Sequence, residues 1–212
     1  MDHLLQDKKL SEEVYSKVAA NVTSPVPPTV PEIIGPIEVF SNDAIEEIGK
    51  LRYEVWSGDG LLDLSMFPTG TWIDDMDFGA RARHWVVKEK STGKLIACAR
   101  LTRHESLDDD YRDVKLWRDS GLEPELPLID FGRLCVHKNF RLRGIAKELD
   151  AIRLDAARNW ELDGMKPRTC VCTASASKVE SLKKIGFFSI DKTAIFRDRP
   201  TTVFHALQYN FS

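Results

Sequence analysis

Apolar residues fall into short runs and regular spacings that divide the chain after residue 36 into elements. Ile37-Glu38-Val39-Phe40 predicts a first strand. Ser41 or Asn42 then caps a helix to about Trp56, with Ile45, Ile48, Leu51 and Val55 on one face. Residues 57–83 carry no sustained period, and an acidic insertion around Asp108-Asp109-Asp110 also reads as loop. Between these lie two strand-like runs, 84–89 and 95–103, joined by the turn signal Ser91-Thr92-Gly93-Lys94. A buried strand is predicted over 128–137. The clearest helix follows it: Ile145, Leu149, Ile152, Ala156 and Trp160 share one face, with Lys147, Asp150, Arg153 and Arg158 facing away. Gly164 and Pro167 stop it. A strand over 168–173, a helix over 177–185 ending at Gly186, and an antiparallel pair over 187–196 and 202–209 complete the order. This is an α+β fold, or an α/β fold with a mixed central sheet flanked by helices, and not a doubly wound one.

Ahead of the first strand, Leu10, Val14 and Val18 recur at helical spacing, and the proline-dense stretch 23–31 predicts an extended linker. Residues 1–36 therefore read as an N-terminal arm and residues 37–212 as one domain. A chain of 212 residues, 42% of them hydrophobic, suffices for a single core. The formal charge of -3, without a basic stripe, argues against nucleic acid as the main partner. With no leader-like start and no run of about eighteen apolar residues, the expectation is a cytoplasmic protein that does not insert in a membrane. Cys98, Cys135, Cys170 and Cys172 all sit in strand-like runs and read as buried, reduced thiols, with no metal expected.

The strand over 128–137 passes through Lys138-Asn139-Phe140 into Arg141-Leu142-Arg143-Gly144-Ile145-Ala146 and directly into the long helix. A helix start leaves amide hydrogens unpaired and carries partial positive charge, so a diphosphate is stabilised there. Gly144 admits close backbone approach, Ala146 stays small, and Arg141 and Arg143 can add charged hydrogen bonds. The pattern fits neither of the glycine-rich loops of nucleotide hydrolases and dinucleotide enzymes.

The six residues from Arg141 to Ala146 resemble the R/Q-x-x-G-x-G/A signature of the GNAT superfamily of acyl-CoA N-acyltransferases. Ser175 to Phe187 resembles the second family segment, "N-x-x-A-x-x-L-Y-x-x-x-G-F", with Ser175 in the place of the asparagine and Leu182 in the place of the tyrosine. The resemblance implies the GNAT fold. It further implies acetyl-CoA, or a longer acyl-CoA, as donor and a small-molecule primary amine as acceptor. Leu134, Cys135 and Val136 would line the pantetheine arm; Arg141, Leu142, Arg143, Gly144, Ile145 and Ala146 would hold the diphosphate; Ser175 and Lys178 would flank the coenzyme. Asp130, eleven residues before Arg141, stands where related histone acetyltransferases place a glutamate base. Its alternative reading is a partner for Arg133 or Arg100.

A looser resemblance, to acyl-homoserine lactone and long-chain N-acyl amino acid synthases of the same fold, rests on Arg52, Trp56, Trp72, Asp75, Asp77, Arg100-Leu101 and Asp130-Phe131-Gly132-Arg133. Ala80 departs from it, standing where a third acid is expected. It implies Trp56, Trp72, Asp75, Asp77 and Arg100 as acceptor-binding residues, and it adds acyl-carrier protein as a donor partner. A second copy of the chain is also open as a partner. Asp74, Asp75 and Asp77 beside Trp72 and Phe67 admit two readings, a pocket for a cationic amine or an acidic loop over core aromatics. The four histidines next to strands, His84, His104, His137 and His205, read as structural. The alternatives to an acetyltransferase are a long-chain acyltransferase and a non-catalytic module that binds acyl-CoA.

Overall fold

The computed structural model describes residues 31–108, 112–119, 121 and 124–211. The helix and linker expected before the first strand lie outside the described residues, apart from the linker's last residue.

Seven strands form one sheet: β1 (Ile33–Val39), β2 (Ala82–Glu89), β3 (Leu95–His104), β4 (Leu128–Val136), β5 (Thr169–Ser175), β6 (Phe188–Phe196) and β7 (Arg199–Asn210), in the spatial order β1-β2-β3-β4-β5-β7-β6. All neighbours are antiparallel except β4 and β5. β1 begins at Ile33, before the four residues whose alternation announced it. Among the described residues four helices accompany the sheet: α1 (Asn42–Gly58), α2 (Arg112–Asp119), α3 (Ile145–Arg158) and α4 (Ala176–Lys183). The Ser41 hydroxyl accepts from the Ala44 amide and so caps α1.

Two apolar clusters place the helices on opposite faces. Ile145, Leu149 and Ala157 of α3 pack with Phe131, Ala99, Leu101 and Leu182. Ile48, Leu51 and Val55 of α1 pack with Val86, Cys98 and Cys135 on the other face. α2 occupies the stretch expected to be loop-rich, because Trp117 is fully buried against Leu128, Val171 and Ala206 and anchors it.

One expectation about α3 is corrected. Asp150 and Arg153 do not face away; they are 3% and 1% exposed, whereas Ile152 is 37% exposed. The Arg153 guanidinium donates to Asp150 and to the carbonyls of Arg100 and Gly132, and it lies 3.8 Å from the Phe131 ring centroid. A buried arginine with that many acceptors is satisfied, and helical periodicity alone does not reveal them.

The parallel pair is short. Leu128, Ile129 and Asp130 pair with Thr169, Cys170 and Val171. Beyond that point β4 runs on to Val136 and β5 to Ser175 with no further pairing, so the two strands part. On its other side β4 stays joined to β3 through a bulge: Cys98 opposes Cys135 and Arg100 opposes Gly132, leaving one extra residue in β4, with Arg133 at φ +54°.

A candidate acyl-coenzyme site between the parted strands

The gap between β4 and β5 opens a cleft of about 650 Å³. One end lies at the start of α3, where Gly144 takes φ +82° and no side chain caps the helix. The first ladder bonds run from the amides of Lys147 and Glu148 to the Gly144 carbonyl, at 2.9 and 3.1 Å. The amides of the preceding residues point out of the helix end, as helix geometry requires. A 14-residue helix adds its dipole to that end. Leu142, at φ +64°, carries its side chain fully into solvent, which turns the loop tightly over the helix start.

The two arginines of the loop behave differently from one another. Arg141 donates through Nε to the Val136 carbonyl at 3.1 Å and through Nη2 to Asp59 Oδ2 at 2.6 Å, tying the end of β4 to the C-cap of α1. Arg143 lies 5.1 Å from the Phe140 ring centroid and does not line the cleft. Of the other residues expected around a coenzyme, Leu134, Cys135, Val136, Arg141, Leu142, Gly144, Ile145, Ala146, Ser175 and Lys178 all line it. The Lys178 ammonium is bonded to Asp150 Oδ2, so α4 and α3 are bridged along the cleft wall.

Part of the cleft wall is aromatic. Trp56 packs edge-on against Trp72 with ring centroids 4.1 Å apart, and the Arg199 guanidinium lies 4.5 Å from the Trp56 ring and 4.1 Å from the Phe204 ring. Trp56, Arg199, Thr202 and Phe204 all line the cleft. Arg199, Thr202 and Phe204 had no signal in the sequence, because they reach the cleft only through the placement of β7 beside β5.

The remaining expected acceptor residues divide. Trp72, Asp75, Asp77 and Arg100 do not line the cleft. Asp77 and Arg100 are buried: Asp77 accepts from Arg52 Nη1 at 2.8 and 3.0 Å and from Arg100 Nη1 at 2.8 Å. Asp74 accepts from Arg100 at 2.7 Å and from Arg133 at 2.6 Å, and Arg133 lies 4.5 Å over the Trp72 ring. Burial alone would raise the Asp77 carboxyl, but Arg52 and Arg100 hold it well below the usual carboxylate range. His84 Nε2 donates to the Asp77 carbonyl at 2.9 Å, and its pKa is pushed down to about 4, by burial first and then by Arg52. The acids beside Trp72 thus engage the protein's own arginines, and Asp75 stands apart from them, exposed.

Asp130 is 1% exposed, lies off the cleft lining, and accepts from Thr102 Oγ1 at 3.5 Å. Gly132, which does line the cleft, separates them: a β-carbon there would stand 2.8 Å from Asp130 Oδ2. Only glycine leaves the carboxylate its place.

Residues 51–150 match the family of the acetyltransferase (GNAT) domain. No match was found among curated proteins. Among solved structures, Escherichia coli ElaA shares 17% identity over 85% of this chain and 100% of its own, with a TM-score of 0.57. A CoA-dependent acyl-homoserine lactone synthase, BjaI, solved with SAM and isopentyl-CoA, shares 12% over 82% of each chain, at 0.61. The N-acyl amino acid synthase FeeM, from uncultured soil microbes, shares 13% over 85% of this chain and 92% of its own, at 0.57. No helix of the described residues is long and apolar enough to cross a membrane. A parted parallel strand pair, a central helix that starts at Gly144 and the matched domain all point the same way: the chain has the GNAT acyl-CoA N-acyltransferase fold, and residues 51–150 match its acetyltransferase domain.

Proposed function

We propose that the protein transfers an acyl group from an acyl-CoA thioester to the primary amine of a small molecule, by direct attack of the amine on the thioester carbonyl. The observation that carries this reading is the continuous cleft from the uncapped start of α3, between β4 and β5, to the aromatic wall at Trp56 and Phe204. The donor diphosphate sits on the amides at Ile145 and Ala146, where Gly144 leaves room. The pantetheine arm runs beside Leu134, Cys135 and Val136, whose backbone β5 leaves unpaired. An amide there also faces the oxyanion that develops on attack. Arg141 positions the loop through Asp59 and Val136, and Lys178, held by Asp150, fixes the wall that Ser175 continues.

The acceptor arrives as an ammonium and must lose a proton before it attacks. Asp130 acts as the base through a water seated over Gly132, the one lining position with no side chain between carboxylate and cleft. Leu182, fully buried in the cleft wall, supplies no proton to the leaving group. A thiol of ordinary pKa about 8.5 leaves without one. Trp56 flanks the acceptor, while Asp77 and Arg100 act indirectly, by fixing Trp72 and Arg133. This donor fits action in the cytoplasm.

Acetyl is the donor the superfamily resemblance suggests first. A longer chain is favoured by one observation, that Val55, Trp56, Leu61 and Phe204 add apolar surface to the cleft lining; BjaI, of the same fold, was solved with isopentyl-CoA. Thiol release measured with acetyl-, isopentyl- and octanoyl-CoA and with acyl-carrier protein, against a panel of amines, separates these donors. If no donor releases thiol with any amine and none raises the unfolding temperature, acyl transfer is refuted.

A further inference from the structure

The proposed reaction uses the backbone of Cys135 and leaves its thiol without a task. That thiol has a close neighbour: Cys135 on β4 stands directly opposite Cys98 on β3, and the two sulfurs are 3.4 Å apart. Cys135 lines the cleft and keeps 4% exposure, whereas Cys98 is fully buried, so Cys135 is the member of the pair nearer to solutes in the cleft. Opposed residues of an antiparallel ladder hold their α-carbons about 4.5–5.5 Å apart, inside the range that a disulfide spans. Bringing the sulfurs to the bonding distance of about 2.05 Å therefore needs side-chain rotation and no change of register. The hydrogen bond with Cys135, with Arg52 adding its charge, holds the Cys98 thiol below its ordinary value, while the same bond and then burial push the Cys135 thiol well up. The two thiols therefore titrate as a pair.

We propose that Cys135 and Cys98 are a redox-active dithiol that reacts with small disulfides entering the cleft, coenzyme A disulfide foremost. The Cys135 thiol gives its proton to solvent in the cleft, and its sulfur attacks one sulfur of the disulfide, forming a mixed disulfide and expelling one thiolate, which takes up the proton of Cys98. Cys98, now a thiolate, attacks the Cys135 sulfur, forms the internal disulfide and expels the second thiolate, which is protonated by solvent. The balance is one dithiol and one small disulfide giving one internal disulfide and two small thiols. The mixed disulfide fills the cleft and the internal one empties it, so Cys98 keeps the cleft from remaining capped. The preference for the coenzyme A half rests on the acyl-CoA reading of the cleft; the dithiol chemistry does not.

The test uses reduced full-length protein exposed to coenzyme A disulfide or glutathione disulfide, then alkylated and mapped by mass spectrometry. Wild type is expected to lose two thiols to a Cys98–Cys135 cross-link that dithiothreitol reverses. Cys98→Ser is expected to retain one coenzyme A adduct on Cys135, and with the acyl-CoA reading correct the coenzyme A disulfide reacts at least about tenfold faster than glutathione disulfide. Absence of the wild-type cross-link, or a cross-link at Cys170 or Cys172 in its place, overturns the proposal. A Cys98–Cys135 cross-link formed equally fast by both disulfides upholds the dithiol and counts against the acyl-CoA cleft.

Discussion

Replacing Asp77 by alanine removes the common acceptor of two buried arginines. The carboxylate is fully buried and takes Arg52 at 2.8 and 3.0 Å, Arg100 at 2.8 Å and the Asp74 amide at 2.9 Å. Arg100 retains Asp74 at 2.7 Å, but Arg52, itself fully buried, is left with a 3.5 Å approach to the Trp72 carbonyl. Removing one partner of a buried pair costs about 3–5 kcal/mol, because the charge left behind has neither water nor counter-ion. At about 2–4 °C per kcal/mol for a chain of this size, the midpoint should fall by about 6–20 °C. Urea and thermal unfolding of Asp77→Ala measure it, with Asp75→Ala as the control. Asp75 is exposed, and its loss should stay within about 0.5 kcal/mol. Equal losses for the two variants, or a loss below about 1 kcal/mol at Asp77, would refute the claim that this ion lattice supports the aromatic wall of the cleft.

The same lattice makes stability depend on pH. His84 titrates at about 4 in the fold against about 6.5 unfolded, so between those values the unfolded chain binds a proton that the fold refuses. Stability is full above pH 6.5 and falls by about 3 kcal/mol as the pH drops towards 4; urea midpoints across that window should flatten in His84→Gln, and an unchanged slope would contradict the assignment. Gly144→Ala places its β-carbon in open space, so its cost to the fold is the left-handed backbone alone, about 1 kcal/mol, yet the methyl stands where the diphosphate approaches. Thermal stabilisation by coenzyme A thioesters should disappear in that variant and weaken in Arg143→Glu; full retention in both removes the diphosphate from this helix end. Gly132→Ala drives a β-carbon to 2.8 Å from Asp130 Oδ2. Its kcat should fall at least about tenfold with donor KM little changed, and a normal kcat would dismiss Asp130 as the base.

Local signals were enough for the parts of this protein that depend on near neighbours in the chain. The hairpin around Gly93, the α1 cap at Ser41 and the start of α3 at Gly144 were all legible, since a turn glycine, a hydroxyl cap and a 3.6-residue period act over a few residues. The sequence also marked the loop from Arg141 to Ala146, although not that Arg141 would spend its guanidinium on Asp59, 82 positions away. What the sequence could not convey is which polar groups go inside. Asp150 and Arg153 look like solvent-facing residues until Gly132, Arg100 and Phe131 are brought over them. Asp75 and Asp77 look alike until Arg52 and Arg100 close on one of them only. The parting of β4 from β5, the arrival of Arg199 and Phe204 beside Trp56, and the meeting of Cys98 with Cys135 each depend on strand order and register. Those are settled by the packing of segments far apart in the chain, because burial of a charge or alignment of two thiols is a property of the partners that surround them and not of the residue itself.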